Sequence, residues 1–260
     1  LKWLGKPIVL TLHGGGLPDF AAKHPVRVKR LLQRADAIVT PSPFLKNSLR
    51  EYAPDIRLIN NPIDISQGIY RQRSAVQPKL IWVRAFHEIY NPEMALKVLA
   101  GLLSEFPESH LTMIGPVKSH VCMQSVRTLA KELNVEDHLE IIAGVPHAEV
   151  SKFLDKADIF LNTSNYDTAP RSILEAMLNG LCVVSTNVGG IPYLGTNNQE
   201  FLLVPPGDHL AMANAIRRVL TEPELASRLS SNAHKKVEQD DWSIILPEWE
   251  KVFLSLINHE

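Results

Sequence analysis

The sequence predicts an α/β protein in which helices cover both faces of parallel β-sheets. Short apolar segments alternate with helical segments along most of the 260 residues. The apolar segments are continuous rather than alternating, which is typical of strands buried on both faces. Strands that alternate with single helices pair in parallel, so the expected architecture is a doubly wound sheet.

Nine strands are predicted from runs of four or five residues rich in Val, Ile, Leu or Phe, over residues 8–12, 37–40, 57–60, 79–83, 111–114, 139–143, 159–162, 181–185 and 201–204. Seven helices are predicted from apolar residues at helical spacing, over residues 26–34, 43–52, 92–106, 121–133, 148–155, 170–179 and 209–220. Beyond residue 220 the sequence is helical, and we expect Trp242 and Trp249 to anchor this tail on the first sheet.

A polar segment from Asn61 to Pro78 divides the chain, and its prolines and lack of periodicity are typical of a linker. We expect residues 1–65 to be the C-terminal part of one Rossmann-like domain and residues 66–240 to be a complete, ligand-binding one. Residues 241–260 are expected to form a helix that packs back on the first part. Three strands and two helices are few for an independent domain, so we expect the first domain to be truncated at its N-terminus.

Composition excludes several functional classes. The net charge is -1, so no global field attracts nucleic acid. Two cysteines without CxxC spacing and ten scattered histidines predict neither disulfides nor a metal site, which suits a cytoplasmic protein. Residues 26–34 form a basic amphipathic helix, which predicts either weak contact with the cytoplasmic face of a membrane or a solvated helix face.

Two carboxylates lie near the end of the strand predicted at 159–162. Asp167 lies in the following loop, and Glu175 lies inside the next helix. Ligands of open α/β sheets bind at this end of the strands, where Glu175 is positioned to accept hydrogen bonds from ribose hydroxyls and Asp167 to meet a sugar. The alternative is that Asp167 caps a turn and Glu175 is an exposed helix residue.

The helix between these carboxylates has the sequence features of a phosphate site. Pro170 suits its first turn, and Gly180 suits its C-terminal end. The N–H groups near Arg171 and Ser172 then face the ligand, and the helix dipole favours a phosphate there. A sugar nucleotide carries both the phosphates and the hydroxyls that this segment suits.

Two glycine-containing loops are predicted at the same sheet edge. Gly115-Pro116 follows the strand at 111–114, and Gly189-Gly190 follows the strand at 181–185. Glycine allows backbone to approach a ligand closely, so the three loops together describe a pocket. Each loop alone is an ordinary turn.

Two basic side chains also follow strands. Arg84 ends the strand at 79–83, where its guanidinium suits a diphosphate; the alternative is a surface ion pair with Glu88. His13-Gly-Gly-Gly16 is similar to the oxyanion-hole motif of esterases, but the chain has no Gly-x-Ser-x-Gly elbow. His13 is therefore expected either to face the cleft between the domains or to be a packed, hydrogen-bonded histidine.

Motifs along nearly the whole chain resemble retaining glycosyltransferases of family 4, which have the GT-B architecture of two Rossmann-like domains facing a cleft. The matching segments occur in the family's order and spacing: Thr11-Leu-His-Gly14, Ala35-Asp-Ala-Ile-Val-Thr-Pro-Ser42, Asn60-Asn-Pro-Ile-Asp64, Arg84, Gly115-Pro116, residues 157–190 and Val204-Pro-Pro-Gly-Asp208. The resemblance implies a GT-B-like fold with a complete C-terminal Rossmann-like domain. It also implies transfer of a sugar from a nucleotide-sugar donor with retention of configuration.

The resemblance assigns roles to the candidate residues. It implies that Asp167 and His13 contact the donor sugar as catalytic residues and that Glu175 binds the ribose. Gly189 and Gly190 belong to the donor-binding set. Family members use no metal or other cofactor, so the expected co-substrate is a UDP-, GDP- or ADP-sugar and the expected acceptor a sugar, a lipid-linked molecule or another small molecule.

The remaining roles concern the diphosphate and the base. The resemblance implies that Arg84 neutralises the diphosphate, that backbone near Arg171 and Ser172 binds it, and that Gly115-Pro116 lies beside the base. A chain without the family's opening strand and glycine-rich loop is expected to keep most of the nucleotide site and to lack a complete acceptor site.

Three positions depart from the family pattern. Asp167 replaces a glutamate, a residue near Tyr90 replaces a lysine, and Tyr193 replaces another glutamate. Losing a lysine weakens the stabilisation of the leaving group, and we hypothesise that Arg171 compensates. The alternatives are a nucleotide-sugar epimerase or phosphorylase of the same architecture, or a catalytically weakened protein that binds carbohydrates or nucleotides.

Overall fold

A computed structural model of the protein describes residues 4–257. These residues form two separate parallel sheets. The first has three strands in the order β1-β2-β3, which are Val9–Thr11, Ala37–Thr40 and Arg57–Leu58. The second has six strands in the order β6-β5-β4-β7-β8-β9, which are Leu139–Ile142, His110–Ile114, Lys79–Val83, Ile159–Asn162, Cys182–Thr186 and Leu202–Val204.

The six-stranded sheet is doubly wound, as the sequence predicts. Its chain order reverses between β4 and β7, which pair directly with Leu80 opposite Ile159. The central strands are buried because both faces are covered by helices, and β8 is buried along its whole length. Ligands of such sheets bind at the carboxyl ends of the strands beside this switch point.

Helices lie on both faces of the larger sheet. One core contains residues of α4, α5 and α8, which are Pro92–Leu103, His120–Glu132 and His209–Thr221. The other contains residues of α6, α7 and α9, which are Val150–Lys156, Arg171–Leu178 and Pro223–Val237. Trp82 of β4 is fully buried in the first core, and its indole N–H donates to Thr163 Oγ1 at 2.9 Å.

The smaller sheet is also covered on both faces. Helices α1, α2 and α3, which are Leu17–Lys23, Pro25–Leu32 and Pro43–Ser48, contribute to one core. Helix α10, Trp242–Ile257, packs Ile245 and Val252 against β2 on the other face. Trp249 joins this contact, but Trp242 is 48% exposed, so the expectation that both tryptophans anchor the tail is wrong for Trp242.

The predicted strands and helices are all present, with shifted ends. Helix α1 was not predicted, because Gly14–Gly16 and Pro18 suggest a loop, although proline is tolerated in a first helical turn. Helix α3 stops at Ser48, earlier than the predicted residue 52. Helix α7 begins at Arg171 and leaves Pro170 as its N-cap.

The polar segment between the two sheets is fastened to the larger one by Arg73. Its side chain is fully buried, and its guanidinium donates to the carbonyl groups of Asn179 and Ala157. These are the C-cap residues of α7 and α6, whose last carbonyls have no partner within the helix. Burial lowers the pKa of Arg73. One side chain therefore closes the C-terminal ends of two helices.

Candidate functional site

The carboxyl ends of the central strands lie side by side. Val83 of β4 is level with Ile114 of β5, which is level with Ile142 of β6. The loops that follow these strands therefore meet at one edge, and the loop after β7 joins them there. Four of the ten candidate residues predicted from the sequence belong to these loops, namely Arg84, Gly115, Pro116 and Asp167.

Arg84 is held by three groups at this edge. Its guanidinium pairs with Asp167 Oδ2 at 2.5 Å, and its Nε lies 3.4 Å from Asn162 Oδ1. The Tyr90 ring lies 5.2 Å from the guanidinium carbon, within the range of a cation–π contact. The partner of Arg84 is therefore Asp167 rather than Glu88, which instead accepts a hydrogen bond from Ser119.

The Asp167 carboxylate is largely withdrawn from water, with 13% of its side chain exposed. Burial raises the pKa of Asp167 above its ordinary value, against the opposing effects of Arg84 and of the Thr168 N–H, which donates at 2.8 Å. The Asp167 carboxylate thus pairs with Arg84 and also accepts a hydrogen bond from the next residue in its own turn, Thr168. Both the sugar-contact and the turn interpretations remain compatible with this geometry.

Ser172 lies in the first turn of α7, a few residues after Asp167. It is 8% exposed, and its buried Oγ has no hydrogen-bond partner among the residues that the structure describes. A buried hydroxyl without a partner is costly, and the first N–H groups of a helix also lack partners within the helix. A phosphate oxygen is the acceptor that this combination suits.

Two adjacent cavities divide the other candidate residues. A cavity of about 230 Å³ is lined by residues that include Arg84, Tyr90, Gly115 and Pro116. A second cavity of about 320 Å³ is lined by residues that include Arg171 and Glu175. His147 and Val150 line both cavities, and His147 was not predicted.

His147 contacts Glu175 directly, with Nε2 at 2.9 Å from Oε1. It follows strand β6 after Gly144, Val145 and Pro146, at the same edge as the predicted loops. A strand followed by glycine and proline is the same signal that singled out Gly115-Pro116. The sequence therefore contained the signal for this residue.

The predicted glycines contact neighbouring backbone closely. A Cβ on Gly115 would lie 1.7 Å from the Arg84 carbonyl oxygen. A Cβ on Gly190 would lie 1.7 Å from the Thr168 carbonyl oxygen, and Gly189 has a φ of +53°. These glycines allow the loops of the site to pack against one another, because any side chain would separate them.

We predict that Gly115→Ala lowers the free energy of unfolding by about 2 kcal/mol, because the added methyl group collides with the Arg84 backbone. Gly101→Ala is the matched control. Gly101 lies in helix α4 with its nearest neighbour 3.9 Å from an added Cβ, so alanine should raise stability by about 0.5–1 kcal/mol. Urea unfolding of both variants measures this difference. Equal stability of the two variants would contradict the close-packing argument.

The loop after Asp167 also contacts the smaller sheet. Thr168 Oγ1 donates to the His13 carbonyl oxygen at 3.0 Å, and Ser42 Oγ donates to the Thr168 carbonyl oxygen at 3.0 Å. His13 is exposed, so it is not the packed histidine of the alternative interpretation. The structure thus brings the His13 backbone into direct contact with the loop that carries Asp167.

Several predicted features lie apart from these contacts. Arg171 is exposed and, within residues 4–257, has no ion pair. Tyr193 is 49% exposed. Helix α2 exposes Val26 and Leu31.

No group of three or more potential metal-binding side chains occurs in the described part of the chain. Searched over the same residues, the structure has no helix that is both long and apolar enough to cross a membrane. A larger cavity of about 760 Å³ lies at the opposite edge of the sheet, where strands begin. Arg71 pairs there with Asp155 and with Asp158, and Lys79, Glu140 and Lys156 also line the cavity. We place the site at the carboxyl edge, because the two adjacent cavities there are lined by the residues predicted from the sequence.

Comparison with family models gives two matches. Residues 70–236 match the model described as glycosyl transferases group 1. Residues 1–67 match the model described as glycosyltransferase family 4. The first match alone covers more than half of the chain.

Among similar proteins is the glycogen synthase of Mycobacterium tuberculosis, which is 24% identical over 232 residues, covering 86% of this chain and 55% of the relative. The N-acetyl-alpha-D-glucosaminyl L-malate synthase of Bacillus anthracis is 23% identical over 270 residues, covering 97% of this chain and 69% of the relative. The chain thus spans about half the length of the glycogen synthase.

Solved structures show the same fold. Sucrose-phosphate synthase from Thermosynechococcus elongatus has a TM-score of 0.85 at 23% identity, covering 97% of this chain and 68% of that one. Anabaena HepE in complex with UDP has a TM-score of 0.87 at 19% identity, covering 98% of this chain and 74% of that one. The α/β, GT-B-like fold predicted from the sequence is confirmed, and the protein belongs to the glycosyl transferases group 1 family.

Proposed function

We propose that the protein transfers a hexosyl group from a nucleotide sugar to an acceptor hydroxyl, with retention of configuration and without a metal ion. Family membership supports the reaction class. The observation that most supports the donor is the pair of adjacent cavities at the carboxyl edge, which are lined by Arg84 in one and by Arg171 and Glu175 of α7 in the other. The acceptor of this proposal is a sugar, a lipid-linked molecule or another small molecule, handled in the cytoplasm.

The chemistry follows from the charge of the donor. When the bond between the sugar C1 and the diphosphate oxygen breaks, negative charge develops on the nucleoside diphosphate. Arg84 and the N-terminus of α7 stabilise that charge. The acceptor oxygen bonds to C1 on the same face, and its proton passes to the departing diphosphate oxygen. His13 approaches from the smaller sheet, beside the loop that carries Asp167.

Similar proteins favour a uridine nucleotide within this proposal. HepE has been solved in complex with UDP and with UDP-glucose. The pneumococcal O-GlcNAc transferase GtfA has been solved in complex with UDP and GlcNAc. We therefore rank UDP-sugars before GDP- and ADP-sugars for this chain.

A second candidate is a protein that binds a nucleotide sugar without efficient turnover. The observation that favours it is the Arg84–Asp167 ion pair, because Asp167 offsets the charge that a diphosphate requires. An epimerase or phosphorylase of the same architecture is distinguished by its product rather than by this geometry.

Thermal unfolding with UDP, GDP, ADP and their hexose conjugates tests the proposal. At least one nucleotide should stabilise the protein, by about 2.7 kcal/mol at a concentration of 100 times its Kd. The corresponding monophosphate is the control and should stabilise less, because it has one phosphate fewer. Stabilisation with release of nucleoside diphosphate supports transfer, and stabilisation without it supports the binding protein. No stabilisation by any nucleotide would contradict both.

A further inference from the structure

His147 lies where the two cavities of the site meet. It is the first residue of a short 3₁₀ helix, His147–Glu149, which follows the turn after β6. Gly144 and Val145 of that turn line the cavity that also contains Arg84. His147 lines both that cavity and the one that contains Glu175.

The contact between His147 and Glu175 has a defined polarity. An ionised carboxylate only accepts hydrogen bonds, so the imidazole must carry its proton on Nε2 and donate it to Oε1, at 2.9 Å. The Glu175 side chain is 16% exposed. Within residues 4–257, His147 is the only hydrogen-bond partner of its carboxylate that the structure shows.

This hydrogen bond leaves one carboxylate oxygen of Glu175 available. A glutamate side chain loses rotamer freedom when it binds a ligand, and a fixed hydrogen bond removes part of that cost in advance. The same contact also joins the turn after β6 to helix α7. The turn after β6 lines the cavity that contains Arg84, and Glu175 lines the other cavity. The hydrogen bond therefore fixes the distance between this turn and the Glu175 carboxylate.

We propose that His147 is a positioning residue for the nucleoside: it holds the Glu175 carboxylate so that its second oxygen accepts hydrogen bonds from the ribose hydroxyls, while its own turn contacts the base. The inference rests on the proposed function, because it needs a nucleotide in this site. It adds a residue that connects recognition of the ribose to recognition of the base.

The test measures the affinity of the complete chain for UDP and for 2′,3′-dideoxy-UDP, which lacks both ribose hydroxyls. His147→Ala should weaken UDP binding about tenfold, the value of one hydrogen bond to a charged group. Its affinity for the dideoxy nucleotide should equal that of the unchanged protein. His147→Gln, which retains an N–H donor, should recover part of the UDP affinity.

Two controls separate positioning from structural damage. His120→Ala removes an exposed histidine at the start of helix α5 and should change neither affinity. Glu175→Gln should weaken UDP binding, and adding His147→Ala to it should cause little further loss, because the two residues act together. Because 65% of the His147 side chain is exposed, the variant should keep its unfolding temperature.

Three other results of these binding measurements would overturn the inference. Equal losses of affinity for UDP and the dideoxy nucleotide in His147→Ala would show that the ribose is not involved. Unchanged UDP binding in His147→Ala would show that Glu175 needs no positioning. If the unchanged protein binds none of UDP, GDP and ADP, the proposed function fails together with this inference, whereas the first two outcomes leave the proposed function intact.

Discussion

Replacing Arg84 by alanine is expected to weaken nucleotide binding about a hundredfold and to lower the free energy of unfolding at neutral pH by about 3 kcal/mol. The loss of affinity follows from removing the guanidinium that we propose to bind the diphosphate. The loss of stability follows from leaving Asp167 buried without its charged partner, since both side chains of the pair are 13% exposed.

The loss of stability should depend on pH. Burial raises the pKa of Asp167, and Arg84 opposes that rise, so removing Arg84 raises the pKa further. A carboxyl whose folded-state pKa is raised stabilises the protein at low pH, and that contribution disappears as the pH rises through the raised pKa. The deficit of Arg84→Ala should therefore be complete above the raised pKa of Asp167 and should shrink as the pH falls through it.

Asp167→Asn provides the control for this interpretation. In the double variant Arg84→Ala/Asp167→Asn, no buried charge is left alone, so stability at neutral pH should exceed that of Arg84→Ala, while nucleotide binding stays weak. Asp167→Asn alone should bind a nucleoside diphosphate several times more tightly, because one anion beside the phosphates is gone. A double variant no more stable than Arg84→Ala would show that the ion pair does not hold this loop.

Replacing Arg73 by methionine is expected to lower the free energy of unfolding by about 4 kcal/mol. Methionine fills a similar volume but donates no hydrogen bond. The buried carbonyl groups of Leu154, Ala157 and Asn179 at the ends of α6 and α7 would then lose the hydrogen bonds that the guanidinium donates. Urea unfolding followed by circular dichroism measures the loss.

Arg71→Met is the matched control, two residues away. Arg71 also pairs with Asp158, at 2.8 Å, but its side chain is 46% exposed, so its loss should cost only about 1 kcal/mol. Similar losses for the two variants would indicate that Arg73 acts as an ordinary ion-pair partner rather than as a cap for two helices.

The architecture of the larger sheet followed from the sequence because its pattern is unambiguous. Strand β8 is buried at every position, and continuous apolar segments indicate such strands. The ends of elements were less predictable. Strand β3 covers only Arg57–Leu58, and helix α1 begins after a run of glycines. Strand β3 is therefore shorter than the predicted 57–60. At α1 local composition favours a loop, and tertiary packing decides the outcome.

The meeting of the predicted loops was also predictable, since the carboxyl ends of parallel strands lie at one edge. The contacts among these loops were not. Arg84 and Asp167 were assigned to different parts of a ligand, whereas the structure pairs them with each other. They are separated by 83 residues, and no local pattern encodes such a contact.

The glycines illustrate a second limit. The sequence indicates that Gly115 and Gly190 allow a close approach, but it does not indicate to what. In the structure, each approaches the backbone of the loop beside it. His147 illustrates the opposite case. The glycine and proline before it are visible in the sequence, but they indicate a place beside the other loops only once β6 is known to pair with β5.

Hydrogen–deuterium exchange with and without UDP, or with GDP or ADP if thermal unfolding shows that one of them binds instead, tests the central claim most directly. The claim is that a nucleotide binds at the carboxyl edge of the six-stranded sheet. The account predicts slower exchange of amides in residues 84–90, 115–117, 144–149 and 168–174 and unchanged exchange in helix α2. Protection confined to the opposite edge, around Lys79, His110 and Asp158, or no protection in any of the four segments, would contradict it.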